Sequence, residues 1–259
     1  MLSLLEAAKS FVGEDGFAGI RISTRPDAIN EEILTILKEY HVNAIELGVQ
    51  SMNDRVLLAN KRGHTAQDVV KAAEMIQDFQ IELGLQMMTG LYQSTWQDDV
   101  DTAKAIAALH PKTVRIYPTI TLEGTDLAAL YQQGLYQPMS LEDSVKLCSD
   151  LLEFFEEQNI QVIRLGLHAQ ESLEQGYLAG PYHPAFRELC EGRIYLKKAL
   201  LQIDQFPEKT PLTIYVNPRE LSKMAGQNRC NLNYLKQRNP IKIKPDDSLE
   251  AFCVRVESV

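Results

Sequence analysis

Glu46, Gly48 and Gln50 alternate with Ile45, Leu47 and Val49 in residues 44–51. A strand there turns three apolar side chains one way, and a carboxylate, a gap and an amide the other. Polar groups on an enclosed face need partners, and the strand runs on into a polar cluster and a helix, where repeating strand–helix chains gather ligand-binding groups. Gln86 is a second amide on a neighbouring predicted strand. Arg25, Glu46, Arg115 and Tyr117 stand near strand ends and read either as pocket lining or as structural ion pairs and capped ends. Arg62, in Lys61-Arg62-Gly63-His64, reads either as a functional cation or as part of a solvated loop. Five histidines without paired spacing and four cysteines without a Cys-x-x-Cys pair predict no metal site and no disulfide framework. Cys148, Cys190, Cys230 and Cys253 are expected to be buried thiols.

Positioning these residues requires regular elements. Strand patterns recur at 18–23, 44–49, 82–88, 113–120 and 161–167. Helical stripes separate them, opening at Asn30, Thr65 with Asp68, Thr95 with Asp98, and Ser140 with Asp143, the last three resembling capping boxes. Such alternation predicts parallel pairing with right-handed crossovers, either in a barrel or in a doubly wound sheet. No Gly-x-Gly-x-x-Gly follows the first strand, which favours the barrel. A long loop at 168–184, with Gly176, Gly180, Pro181 and Pro184, leads to a helix over about 185–201. A strand at 212–216, short helices around Leu221 and Leu232, and strands near 241–243 and 252–256 then suggest a small α+β unit. The expected division is 1–205 and 206–259.

At 259 residues, 45% hydrophobic and 24% charged, the chain can bury a full core. No apolar run approaches the roughly 20 residues that span a bilayer, and the first residues lack a basic leader, so a cytoplasmic protein is expected. The net charge of −9 discourages nucleic-acid binding overall. Residues 217–244 reverse the balance, with seven basic side chains against Glu220 alone.

Several motifs in order resemble the radical S-adenosylmethionine (SAM) enzymes related to the Elongator catalytic subunit and to oxygen-independent coproporphyrinogen III oxidase. Residues 20–27 (IRISTRPD) look like that branch's third barrel strand, 44–51 (AIELGVQS) like its fourth, 85–91 (LQMMTGL) like its fifth and 115–119 (RIYPT) like its sixth. Residues 179–189 (AGPYHPAFREL) resemble a stretch of stand-alone bacterial members. The resemblance implies a partial (β/α)6 radical-SAM-type barrel lacking its first two strands, followed by the small α+β domain. It places Gln50 and Gln86 where the family hydrogen-bonds the adenosine ribose, and Arg62 near the methionyl carboxylate; amides and a guanidinium fork suit those groups.

Family members cleave SAM reductively, with a 4Fe-4S cluster, to a 5′-deoxyadenosyl radical that abstracts hydrogen from substrate. The cluster sits on a Cys-x-x-x-Cys-x-x-Cys loop, which is absent from this sequence together with the second-strand Gly-Gly motif. The resemblance therefore implies a fragment that binds no cluster and cannot start the reaction alone, with an open barrel edge suited to self-association. Tyr92 also stands where the family commonly has proline after Gly-Leu. The alternative is a cluster-less RNA-binding or assembly protein linked to transfer-RNA (tRNA) modification. Residues 222–236 loosely resemble the helix–turn–helix of a KH RNA-binding module, with Arg229 at its second glycine, which makes Lys223, Arg229 and Lys236 RNA candidates or parts of a solvated basic face.

Overall fold

The computed structural model describes residues 2–168 and 175–259. By internal contacts they fall into two compact units, one of residues up to Ser140 with Phe154–Pro181, the other of Leu141–Glu153 with Tyr182–Val259.

In the first unit, β1 (Ile20–Thr24), β2 (Val42–Gln50), β3 (Glu82–Thr89), β4 (Thr113–Pro118) and β6 (Gln161–Leu165) form one parallel sheet in the order β1-β2-β3-β4-β6. A doubly wound sheet reverses direction at a switch point; this one never does, as a partial barrel requires. Alternation sorts the residues: Ile45, Leu47 and Val49 of β2 and Leu85 and Met87 of β3 are fully buried. Helix Glu31–Glu39 packs on β2, helix Ala66–Asp78 on β2 and β3, and helix Trp96–Ala108 on β3, burying Leu34, Leu37, Val69, Ile76, Ala103 and Ile106.

The expected starts form where the sequence placed them. Asn30 accepts the Ile33 N–H, and Thr65/Asp68 and Thr95/Asp98 make reciprocal capping boxes. Helix Leu141–Glu157 begins directly after Ser140. The strand expected over 113–120 stops at Pro118, and a separate β5 (Thr121–Leu122) pairs antiparallel with β7 (Tyr177–Ala179) inside the predicted long loop. The part of that loop at 169–174 lies outside the described residues.

The second unit contains β8 (Leu212–Val216), β9 (Ile241–Pro245) and β10 (Arg255–Ser258) in the order β10-β8-β9, with β9 parallel and β10 antiparallel to β8. Helix Phe186–Ile203 supplies Tyr195, Ala199 and Ile203 to one core with Ile214, Val216, Met224 and Leu235. Tyr195 ties this core together: its hydroxyl donates to Glu220 at 3.1 Å and accepts the Phe252 N–H at 2.7 Å. Phe252 stacks on the Tyr195 ring in a left-handed conformation, φ +59°. That breaks the extended run, so the last strand starts at Arg255 rather than at 252. Cys148 and Cys190 are buried as expected, whereas Cys230 and Cys253 are exposed. The reason is local: Cys230 opens a short helix (Cys230–Lys236) after a tight turn, and Cys253 follows the left-handed Phe252.

Candidate functional site

Parallel register builds the inner sheet face in rows. Glu46, Gly84 and Thr113 align across β2, β3 and β4, and Gly48, Gln86, Arg115 and Arg164 form the next row. The glycines make space for the charged chains. A Cβ on Gly84 would lie 2.9 Å from Thr113 Oγ1, 3.3 Å from an Arg21 guanidinium nitrogen and 3.6 Å from Glu46 Cγ. Glu46 is 5% exposed and its Oε2 lies 2.6 Å from Arg115 Nε. Burial raises the Glu46 pKa, opposed by the charges of Arg115 and Arg21. At Arg115 burial lowers the pKa, but the Tyr117 hydroxyl at 3.4 Å and the Glu46 charge outweigh it and the net shift is upward.

Gln50 reaches this face through a break in regular pairing. The β2–β3 register shifts between Gly48 and Gln50, and Gln50 takes φ +66°, a bulge that re-aims its side chain. Its amide meets that of Gln86 reciprocally: Gln86 Nε2 donates to Gln50 Oε1 at 2.8 Å, and Gln50 Nε2 to Gln86 Oε1 at 3.4 Å. His64 Nε2 lies 3.1 Å from the Val49 carbonyl oxygen in the same turn. A carbonyl only accepts, so Nε2 carries the proton.

Two residues beyond Gln86, Met88 borders a cleft of about 660 Å³ that Arg62, Tyr92, Thr119, Leu122 and Leu130 also line. Arg62 Nη2 sits 3.3 Å from Met88 Sδ, while its Nε is buried without an acceptor, and burial lowers its pKa. Thr119 Oγ1 is likewise buried and unpartnered. One wall is the turn Gly90–Ser94, fastened from several sides. Asp99 accepts the Gly90 N–H at 2.8 Å and the Ser94 hydroxyl at 2.6 Å, Tyr136 donates to Gly90 O at 2.8 Å, and Asn60 Nδ2 donates to Tyr92 O at 2.9 Å. Burial pushes the Asp99 carboxyl up to about 6 despite the bonds from Ser94 and Gly90. At the mouth, exposed Lys61 and Asp126 pair at 2.6 Å.

Glu46, Gln50, Gln86, Arg115 and Tyr117 thus share one sheet face, with Arg62 at the adjoining cleft. Arg25 does not join them; it is exposed and grips Asp27 with two bonds of 2.9 and 2.8 Å. Of the basic candidates, Lys223 is held by Glu191 at 3.1 Å and Glu220 at 2.8 Å, whereas Arg229 and Lys236 are exposed. Sequence reasoning missed Thr119, which continues the alternation of Arg115 and Tyr117 and so left a readable signal. It also missed Asp99, Tyr136 and Asn60, which reach the cleft wall from separate helices and turns and leave none. Cys148 and Cys190 are buried, with burial pushing the Cys190 thiol up, and among the described residues no three His, Cys, Asp or Glu side chains converge on a metal position.

Sequential parallel strands with a polar inner face and a cleft beside their C-terminal ends define an α/β partial-barrel protein. Residues 2–106 match the Radical SAM superfamily and residues 111–196 the Radical_SAM C-terminal domain, so the chain belongs to the radical SAM superfamily. It is 35% identical over 139 residues to an uncharacterized protein of Methanocaldococcus jannaschii, covering 52% of this chain and 43% of that one. It is 31% identical over 151 residues to the tRNA uridine(34) acetyltransferase of the same organism, covering 57% of this chain and 28% of the relative. The chain therefore spans less than half the length of these relatives. Among solved structures, Methanocaldococcus infernus Elp3 with an N-terminal deletion superposes with a TM-score of 0.61 at 25% identity, over 71% of this chain and 42% of that one. Among the described residues no helix is long and apolar enough to cross a membrane.

Proposed function

We propose that the sheet face of the first unit is the SAM-facing wall of a radical SAM protein acting on tRNA. The observation that carries this reading is Arg62, whose buried Nε has no acceptor within a cleft of ligand size. A carboxylate is the natural partner for such a guanidinium, and the methionyl group of SAM ends in one. Gln50 and Gln86, whose side chains among the described residues bond only to each other, would exchange that pair for ribose hydroxyls, which both donate and accept. The Glu46–Arg115 pair balances charge behind them, and Leu122, Leu127 and Leu130 give the cleft apolar lining. Bound SAM, given an electron from a 4Fe-4S cluster, would supply the hydrogen-abstracting chemistry of the superfamily; the residues present here would supply recognition. The tRNA assignment draws support from the name of the 31% identical acetyltransferase.

Equilibrium dialysis with SAM tests the wall. Arg62→Met should weaken binding about tenfold or more, roughly 1.4 kcal/mol, and decarboxylated SAM should bind the unaltered chain as weakly as SAM binds the variant. Equal binding of SAM by both chains would remove Arg62 from the site. Competition of tRNA against a DNA hairpin of matched length tests the substrate class.

A further inference from the structure

We propose that the second unit carries a nucleoside-phosphate site in the pocket between the start of β8, the end of helix Cys230–Lys236 and the start of β9. The pocket encloses about 560 Å³, a volume typical of small-ligand sites. Its charge is one-sided. Lys209, Lys236 and Lys242 line it, exposed and without an acidic partner among the described residues, while Arg238 is paired with Asp204. Lysines on an edge strand serve to block strand pairing; that accounts for Lys242 on β9 but not for Lys209 and Lys236, which lie off the sheet. Three unpaired ammonium groups around one pocket in a chain of net charge −9 are suited to phosphate oxygens.

Two buried atoms call for more than an anion. Asn239 is 1% exposed, and its amide nitrogen donates to the Pro207 and Thr210 carbonyls at 2.9 and 3.1 Å, which sets the orientation of the amide. Its Oδ1 is left buried with no donor. The adjacent Arg238 gives Nη1 to Asp204, and its Nε is buried with no acceptor. Arg238 and Asn239 both line the pocket, and an acceptor lacking a donor and a donor lacking an acceptor on these consecutive residues match the pairing needs of a nucleobase edge, which presents both. Pro211 and Pro240, both exposed, give the pocket flat apolar walls for the base. Phosphate, base edge and base face thus each have a counterpart. None of these residues belongs to the sheet face assigned to SAM, so either assignment can fail without the other.

Titration calorimetry of the full chain at low salt decides it, with AMP, CMP, ribose 5-phosphate and inorganic phosphate as probes. The nucleotides should bind at least about tenfold tighter than the base-less phosphates. Lys236→Gln with Lys242→Gln should weaken every probe, and Arg238→Lys should bring AMP down to the level of ribose 5-phosphate while the far-ultraviolet circular dichroism stays unchanged. Parallel titrations with short single-stranded RNAs assign the source: RNA binding without mononucleotide binding marks a strand end, and mononucleotide binding marks a free nucleotide. Equal affinity for AMP and inorganic phosphate, indifference to the lysine substitutions, or no saturable binding of any probe, RNA included, overturns the proposal.

Discussion

Glu46 and Asp99 are both buried carboxylates, and their surroundings give them different roles. Glu46 depends on Arg115, whose side chain is 30% exposed. Arg115→Met should therefore cost about 1–3 kcal/mol by leaving a buried charge unpaired, and adding Glu46→Gln should recover most of it, read as urea midpoints. Asp99 instead carries a pKa pushed up to about 6 by burial, above its unfolded value near 3.8. The folded state then binds the proton more tightly, so this group makes stability fall as pH rises from about 4 to about 6, after which its contribution is constant. The difference in stability between the unaltered chain and Asp99→Asn should show that slope between those limits and be flat above pH 7. At Gly48 a Cβ would come within 2.7 Å of Gln50 Nε2, the mobile end of a side chain. Gly48→Ala should leave the melting temperature nearly unchanged while displacing the Gln50–Gln86 pair, seen as weakened SAM binding.

At the scale of elements, local chemistry was the readable part. Thr65 and Asp68 lie three residues apart, so the box they form needs nothing beyond its own turn. Thr65→Ala and Thr95→Ala should each cost about 1 kcal/mol, additively because the caps are separate, measured by thermal unfolding. The strands of the parallel sheet were equally legible, since Ile45, Leu47 and Val49 repeat with the period of the pleat. Leu85, at 0% exposure between sheet and helices, should cost about 2–5 kcal/mol on truncation to alanine. The bulge at Gly48–Gln50 was not legible, because it depends on how β2 meets β3 rather than on residue types in β2. The shift of the last strand to Arg255 likewise depends on Phe252 stacking on Tyr195, a contact across more than fifty residues of chain.

For the molecule as a whole, packing and chain order divide the protein differently. The change of pattern near residue 205 separates strand–helix repeats from the basic tail. Compactness groups helix Phe186–Ile203 with that tail, because Tyr195, Ala199 and Ile203 complete the core over β8. The charge excess of residues 217–244 is partly absorbed inside that unit, since Lys223 sits between Glu191 and Glu220. In the other unit β1 pairs, among the described residues, with β2 alone, and Phe11 and Phe17, just before it in the chain, are 65% and 71% exposed. An open edge, with exposed aromatics in the segment leading into it, favours pairing with another strand. Sedimentation velocity should show concentration-dependent self-association that Phe11→Lys with Phe17→Lys suppresses; a monomer at all concentrations would set the edge aside.

The sequence by itself determined the strand–helix repeat, its caps and the polar face of β2, because each is a matter of spacing within one element. Only the tertiary structure decided that Gln50 meets Gln86, that Arg62 Nε is buried without an acceptor among the described residues while Arg25 is paired at the surface, and that Asp99 and Tyr136 anchor the cleft wall. Those outcomes depend on which side chains from distant segments arrive at the same point, and on which polar atoms burial leaves unsatisfied.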